Sequence, residues 1–139
     1  MRHEFVEFIP EHIEPGVIYV SLLYNLAVHK CASGCGHDVV TPLSPAEWSL
    51  TYDGQAVSLS PSIGNWNLPC RSHYWITKGR VRWAGAMTSR QIELVQEQDK
   101  RAREAEYAGG GSVDVSDDDV LKRPRLSLFA RMARYITGR

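Results

Sequence analysis

Residues 17–41 read VIYVSLLYNLAVHKCASGCGHDVVT, and this stretch decides the fold. It opens on Val17-Ile18-Tyr19-Val20-Ser21-Leu22-Leu23, a short β-branched and apolar run of the kind that forms a buried strand. Ala27-Val28-His29-Lys30 then leads into Cys31-Ala32-Ser33-Gly34-Cys35-Gly36, where two glycines permit a tight turn. Val39-Val40-Thr41 follows as a second short strand, closed by Pro42 and Pro45. Short apolar runs separated by turn residues predict a β-rich domain.

The same texture extends in both directions. Residues 3–8 place His3, Phe5, Val6 and Phe8 around Glu4 and Glu7, an edge-type strand, and Pro10 to Gly16 form a loop. Trp48 to Tyr52, the Asp53-Gly54 turn and Ala56 to Ser60 predict a hairpin. Residues 61–70 are broken by Pro61, Gly64, Asn65, Asn67 and Pro69 and predict irregular chain. His73 to Thr77 and Val81 to Ala84 form a second hairpin around Lys78-Gly79. After Gly85 the character changes. Thr88 with Gln91 three residues on is a capping box, and a helix over 87–107 becomes wholly polar in its second half. Gly109-Gly110-Gly111-Ser112 and Asp117-Asp118-Asp119 mark a linker over 108–124. Leu128, Phe129, Met132, Tyr135 and Ile136 recur at helical spacing in a basic amphipathic tail over 125–139. The expected class is α+β: a β-rich domain over 1–86, then C-terminal helices.

The 139 residues carry 16 basic and 16 acidic side chains, but the zero is a cancellation. Residues 1–70 hold two basic and seven acidic residues, a net of −5, and residues 71–139 hold fourteen and nine, a net of +5. The acidic first half argues against a nucleic-acid binder. No apolar run reaches the roughly 20 residues that span a bilayer. The polar start, Met1-Arg2-His3-Glu4-Phe5, is unlike a signal peptide, so a cytoplasmic protein is expected, with cysteines serving as ligands or thiols.

All three cysteines fall into two short pairs, Cys31-x3-Cys35 and Cys70-x2-His73. Zinc takes four tetrahedral N/S donors, and a short spacing lets one turn supply two of them. Four protein ligands favour a closed structural site; three plus water make a catalytic one. His29 and His37 flank the first pair as alternative or neighbouring ligands. Glu47 or Asp38 is a candidate general base for a metal-bound water, and Ser62 and Asn65 are candidate oxyanion donors. The plainer alternatives are reduced structural cysteines, a surface histidine and turn hydrogen bonds. Trp48, Trp66, Trp75 and Trp83 suit a core around the metal, and a groove lined by Trp66 and Tyr74 is the sharper alternative. The tail suits a partner, an acidic surface or a membrane face.

Several uncommon strings coincide: Phe5-Val6-Glu7-Phe8-Ile9-Pro10, Gly16 to Ser21, His29-x-Cys31, Gly34-Cys35-Gly36, Val40 to Pro45, Pro61-Ser62-Ile63-Gly64-Asn65-Trp66 and Cys70-x-Ser72-His73-Tyr74-Trp75-Ile76. Over roughly residues 1–85 the chain resembles a bacterial family of unknown function found beside ubiquitin-like conjugation genes. The resemblance implies a zinc-binding protein of an antiphage conjugation pathway. Its implied role is the peptidase that trims or removes the ubiquitin-like modifier. Many members carry a further cysteine where this chain has Ser33.

Two functions are therefore expected to compete. One is a Zn2+-dependent peptidase or isopeptidase acting on ubiquitin-like C-termini, with the modifier, its conjugates or the conjugation enzymes as partners. The other is a non-catalytic structural-zinc adaptor or ligase-like module of the same pathway.

Overall fold

A computed structural model describes residues 1–109. Eight strands are followed by one helix: β1 Arg2–Phe5, β2 Val17–Ser21, β3 Leu26–Lys30, β4 Asp38–Pro42, β5 Ser49–Tyr52, β6 Val57–Gly64, β7 His73–Thr77, β8 Arg80–Trp83 and α1 Ser89–Gly109. They make two four-stranded sheets, ordered β1-β2-β3-β4 and β5-β6-β7-β8. β1 and β2 pair in parallel; every other ladder is antiparallel.

The core lies between the sheets. Ile18, Val20, Ala27 and Val39 of the first sheet meet Val57, Leu59, Ile63, Tyr74 and Ile76 of the second. Burying a large side chain of this kind contributes roughly 1.5–3 kcal/mol. The other face of the first sheet is also covered. Val17, Tyr19 and Val28 pack there against Ile13, with Val6 and Ile9 from the β1–β2 connection. That explains why β2 is buried at every position and reads as a continuous apolar run.

Both expected hairpins form. The Asp53 carboxylate accepts from the backbone N–H groups of Gln55 and Ala56 at 2.9 and 2.8 Å, which fastens the first turn. Those bonds hold its carboxyl below the usual range. In the second, Lys78 and Gly79 both have positive φ, 49° and 71°, as a two-residue primed turn requires. Four strand assignments differ from expectation: the edge strand expected over 3–8 is Arg2–Phe5, and the run from Val17 to Leu23 is a strand only as far as Ser21. Leu26–Lys30 is a full strand, and β6 continues through Pro61 to Gly64 where irregular chain was expected. Pro61 is tolerated because the ladder is interrupted there: Leu59 pairs with Ile76 and Ile63 with Tyr74, so Ser60, Pro61 and Ser62 bulge opposite Trp75 alone.

The capping box is present: Gln91 N–H donates to Thr88 Oγ1, and Thr88 N–H donates to Gln91 Oε1 at 2.8 Å. The helix buries only Ile92; its remaining surface is laced by pairs such as Arg101–Glu97. It runs two residues past the expected end, to Gly109. The rest of the expected linker, 110–124, and the expected tail helix, 125–139, lie outside the described residues. Among the described residues no helix is long and apolar enough to cross a membrane.

Candidate functional site

Cys70 joins the first pair, Cys31 and Cys35, while His73 points elsewhere, and the reason is strand periodicity. Side chains alternate faces along a strand. Tyr74 and Ile76 of β7 point into the core, so His73 and Trp75 point to the opposite face. Gly64 is the cross-strand partner of His73, and Ser62 lies two positions back on the same face of β6. The bulge brings Ser62 diagonally over His73, and its hydroxyl meets His73 Nε2 at 2.8 Å. Both residues line a cavity walled by Glu47 and Trp48 on one side and by Gln96, Asp99, Lys100 and Arg103 of α1 on the other. Arg103 approaches Glu47 at 3.7 Å.

His73 is flanked by aromatic rings. The Trp66 indole stands edge-on to it with ring centres 4.9 Å apart, and Trp75 lies at 5.8 Å. Its second nitrogen, Nδ1, is buried and has no hydrogen-bond partner among the described residues. A serine hydroxyl this close to a histidine nitrogen can serve as a nucleophile–base pair when the ring hydrogen is on Nδ1, which leaves Nε2 to accept from the hydroxyl.

The cysteines gather where the end of β3 meets the loop before β7. Cys31 follows β3, Cys35 sits in the glycine turn where Gly34 takes a φ of +80°, and Cys70 precedes β7. Their sulfur atoms all lie within 4.8 Å of one another. Cys31 and Cys70 Sγ are 3.8 Å apart, close to the roughly 3.8 Å edge of a tetrahedron with 2.3 Å zinc–sulfur bonds. Ser33 and Ser72 hydroxyls hold the Cys70 thiol down to about 6, which favours the thiolate that metals bind. The donor set therefore fits a metal ion. His73 is not part of it. His37 is the histidine at hand, with Nδ1 3.4 Å from Cys35 Sγ.

Ser72 is a residue that sequence reasoning passes over, yet it organises this side. Its hydroxyl touches Cys31 Sγ at 3.1 Å and Cys70 Sγ at 3.4 Å and accepts from Asn65 Nδ2 at 2.9 Å. The only signal for it is a small polar residue inside the Cys70–His73 spacing.

Asn65 is committed to Ser72 and to the Tyr74 hydroxyl at 3.4 Å, on the sulfur side, away from the oxyanion role expected of it. Asp38 pairs with Lys30 at 2.7 Å on the β3–β4 ladder and does not line the serine cavity, whereas Glu47 does. His29 is a core residue: it is fully buried, its Nε2 meets the Tyr74 hydroxyl at 2.9 Å, and burial lowers its pKa to about 4. The Tyr74 hydroxyl accepts from Ala32 N–H and Asn65, so its own proton goes to His29 Nε2. Tyr74 has no exposed surface and cannot line a groove; burial pushes its phenol up to about 12. Trp66 does line the cavity.

Residues 5–84 match a family model described as "Bacterial ubiquitination-like system serine protease (BubE)". No curated protein and no solved structure gives a significant match.

Proposed function

The chain belongs to the BubE family of bacterial ubiquitination-like system serine proteases, and from that premise we propose that it is a serine peptidase with Ser62 as nucleophile and His73 as general base. The observation that carries this reading is the 2.8 Å contact between Ser62 Oγ and His73 Nε2 at the wall of a cavity. In the reaction, Ser62 Oγ attacks the scissile carbonyl while its proton passes to Nε2. The imidazolium then returns that proton to the leaving amine, and an acyl-serine remains. Water, deprotonated by the same nitrogen, releases the acid and restores the serine. The proposed substrate is the C-terminus of a ubiquitin-like modifier, in precursor or conjugate, within an antiphage conjugation pathway.

This reading replaces a zinc-bound water as nucleophile. The family's description is of a serine protease, and His73 is engaged with Ser62. The three cysteines would then hold a structural zinc; His37 stands beside Cys35 but outside the group of mutually close donors. The metal would pin the glycine turn after β3 to the loop before β7. A non-catalytic adaptor is the second reading, favoured by the same cysteine cluster.

The test is an active-site label. The purified protein is incubated with a fluorophosphonate probe and, separately, with a ubiquitin-like precursor from a bacterial ubiquitination-like system. Adduct formation on Ser62 and precursor cleavage, both abolished in S62A, are expected. A wild-type protein that takes no label and cuts no precursor leaves the adaptor.

A further inference from the structure

Serine hydrolases commonly orient the histidine through a carboxylate on Nδ1. Here Nδ1 of His73 is buried, and no carboxylate or other polar group among the described residues meets it. What does hold the ring is aromatic. The cross-strand partner of His73 is Gly64, and the space a side chain would take there is filled: a Cβ on Gly64 would lie 2.5 Å from the Trp66 indole. Real Cβ atoms do not come that close, and the atoms met are the indole ring itself. The indole therefore folds back over a bare glycine and stands edge-on to His73 at 4.9 Å, while Trp75, two residues along β7, flanks the ring at 5.8 Å.

We propose that Trp66, seated in the space left by Gly64, is the positioning residue for His73, doing by packing what a carboxylate does by hydrogen bonding. The proposal rests on the serine-peptidase reading. Edge-to-face aromatic contacts fix ring orientation, and a rotamer locked by packing keeps Nε2 aimed at Ser62. The serine-peptidase reading requires the ring hydrogen on Nδ1, so that Nε2 is free to accept the Ser62 proton. Gly64 is required because any side chain there displaces the indole. Trp66 touches no reacting atom in this role; it acts through His73.

The experiment uses the full chain and a fluorophosphonate probe, with labelling resolved into probe affinity and inactivation rate. W66A and G64A are expected to lower the inactivation rate about 10- to 100-fold, as for a misaimed catalytic group, with probe affinity within twofold of wild type. W66F is expected to restore most of the rate, because it keeps an aromatic ring at the edge of His73. Imidazole 15N NMR reads the mechanism directly: one fixed His73 tautomer in the wild type, averaged tautomers in W66A. Should G64A fail to fold, W66A decides, since it shortens a partly exposed side chain and its melting temperature checks the fold. E47Q and D99N test the carboxylate alternative, since both residues line the cavity. If either slows labelling as much as H73A, or if W66A labels within twofold of wild type with an unchanged tautomer, the proposal is overturned. If the wild type is never labelled on Ser62, the peptidase reading itself has failed.

Discussion

Ser62 Oγ and His73 Nε2 stand 2.8 Å apart on the outer face of two antiparallel strands, although ten residues of chain and a turn separate them. The contact is a diagonal cross-strand pair, and it exists because a bulge shifts Ser62 relative to the Gly64–His73 register. Neither side chain is part of the buried core. S62A is expected to fold normally and take no probe, and H73A to label on the order of 10^4-fold more slowly. Mass spectrometry of the adduct, alongside melting curves, checks both. A probe adduct that persists in S62A places the nucleophile elsewhere.

Metal removal is expected to act on stability. Elemental analysis of the purified protein should find one zinc per chain. Structural zinc contributes about 10 kcal/mol or more in small domains, so chelation or C31S should lower the melting temperature sharply, with labelling lost in step with folding. Cleavage that stops while the fold stays intact would return the chemistry to the metal. An unchanged melting temperature in fully metal-free protein would remove the structural zinc.

Tyr74→Phe separates core from site. The hydroxyl is the partner of buried His29 Nε2, and a buried acceptor left alone costs about 1–3 kcal/mol. Denaturant unfolding should show that loss. Labelling of Ser62 should stay within twofold, since Tyr74 faces the core. A stability equal to wild type would mean that water or another group replaces the phenol.

Ile92→Ala addresses the helix. Ile92 is the one buried residue of α1, and truncating a buried isoleucine costs roughly 2–5 kcal/mol. Hydrogen exchange should report faster exchange across 89–109 and unchanged protection in β2, β3 and β7. Uniform loss of protection would instead show that helix and sheets unfold as one unit.

The sheets are legible where apolar residues and turn chemistry agree. Val17–Ser21 announces itself as a buried strand, and Asp53-Gly54 and Lys78-Gly79 announce their hairpins. β3 is obscured because His29 and Lys30 are polar, and nothing local says that His29 is buried against a tyrosine forty-five residues away. β6 is cut short because Pro61 and Gly64 read as breakers; only the bulge makes both tolerable in a strand. The cysteine cluster is legible from spacing, since turns bring near neighbours together. The His73 pairing is not, because a count of residues between Cys70 and His73 says nothing about which face of β7 each side chain takes. Ser62 stands out in the sequence as an oxyanion donor rather than as a nucleophile. Its partner is set by strand register, which a single sequence does not display.

The bulge at Ser60, Pro61 and Ser62 also says how such a centre would be found in other chains. Its identity lies in arithmetic: serine, glycine two residues on, tryptophan two beyond that, then six residues before a histidine that opens the return strand. Each interval has a mechanical origin, from the same-face step to the bare seat for the indole and the length of the loop. Insertion of one residue between Ser62 and Gly64 would turn the hydroxyl to the far face without altering any functional letter. A chain that keeps the letters and loses the count is thus a decoy, and one that keeps the count around a different turn remains a candidate.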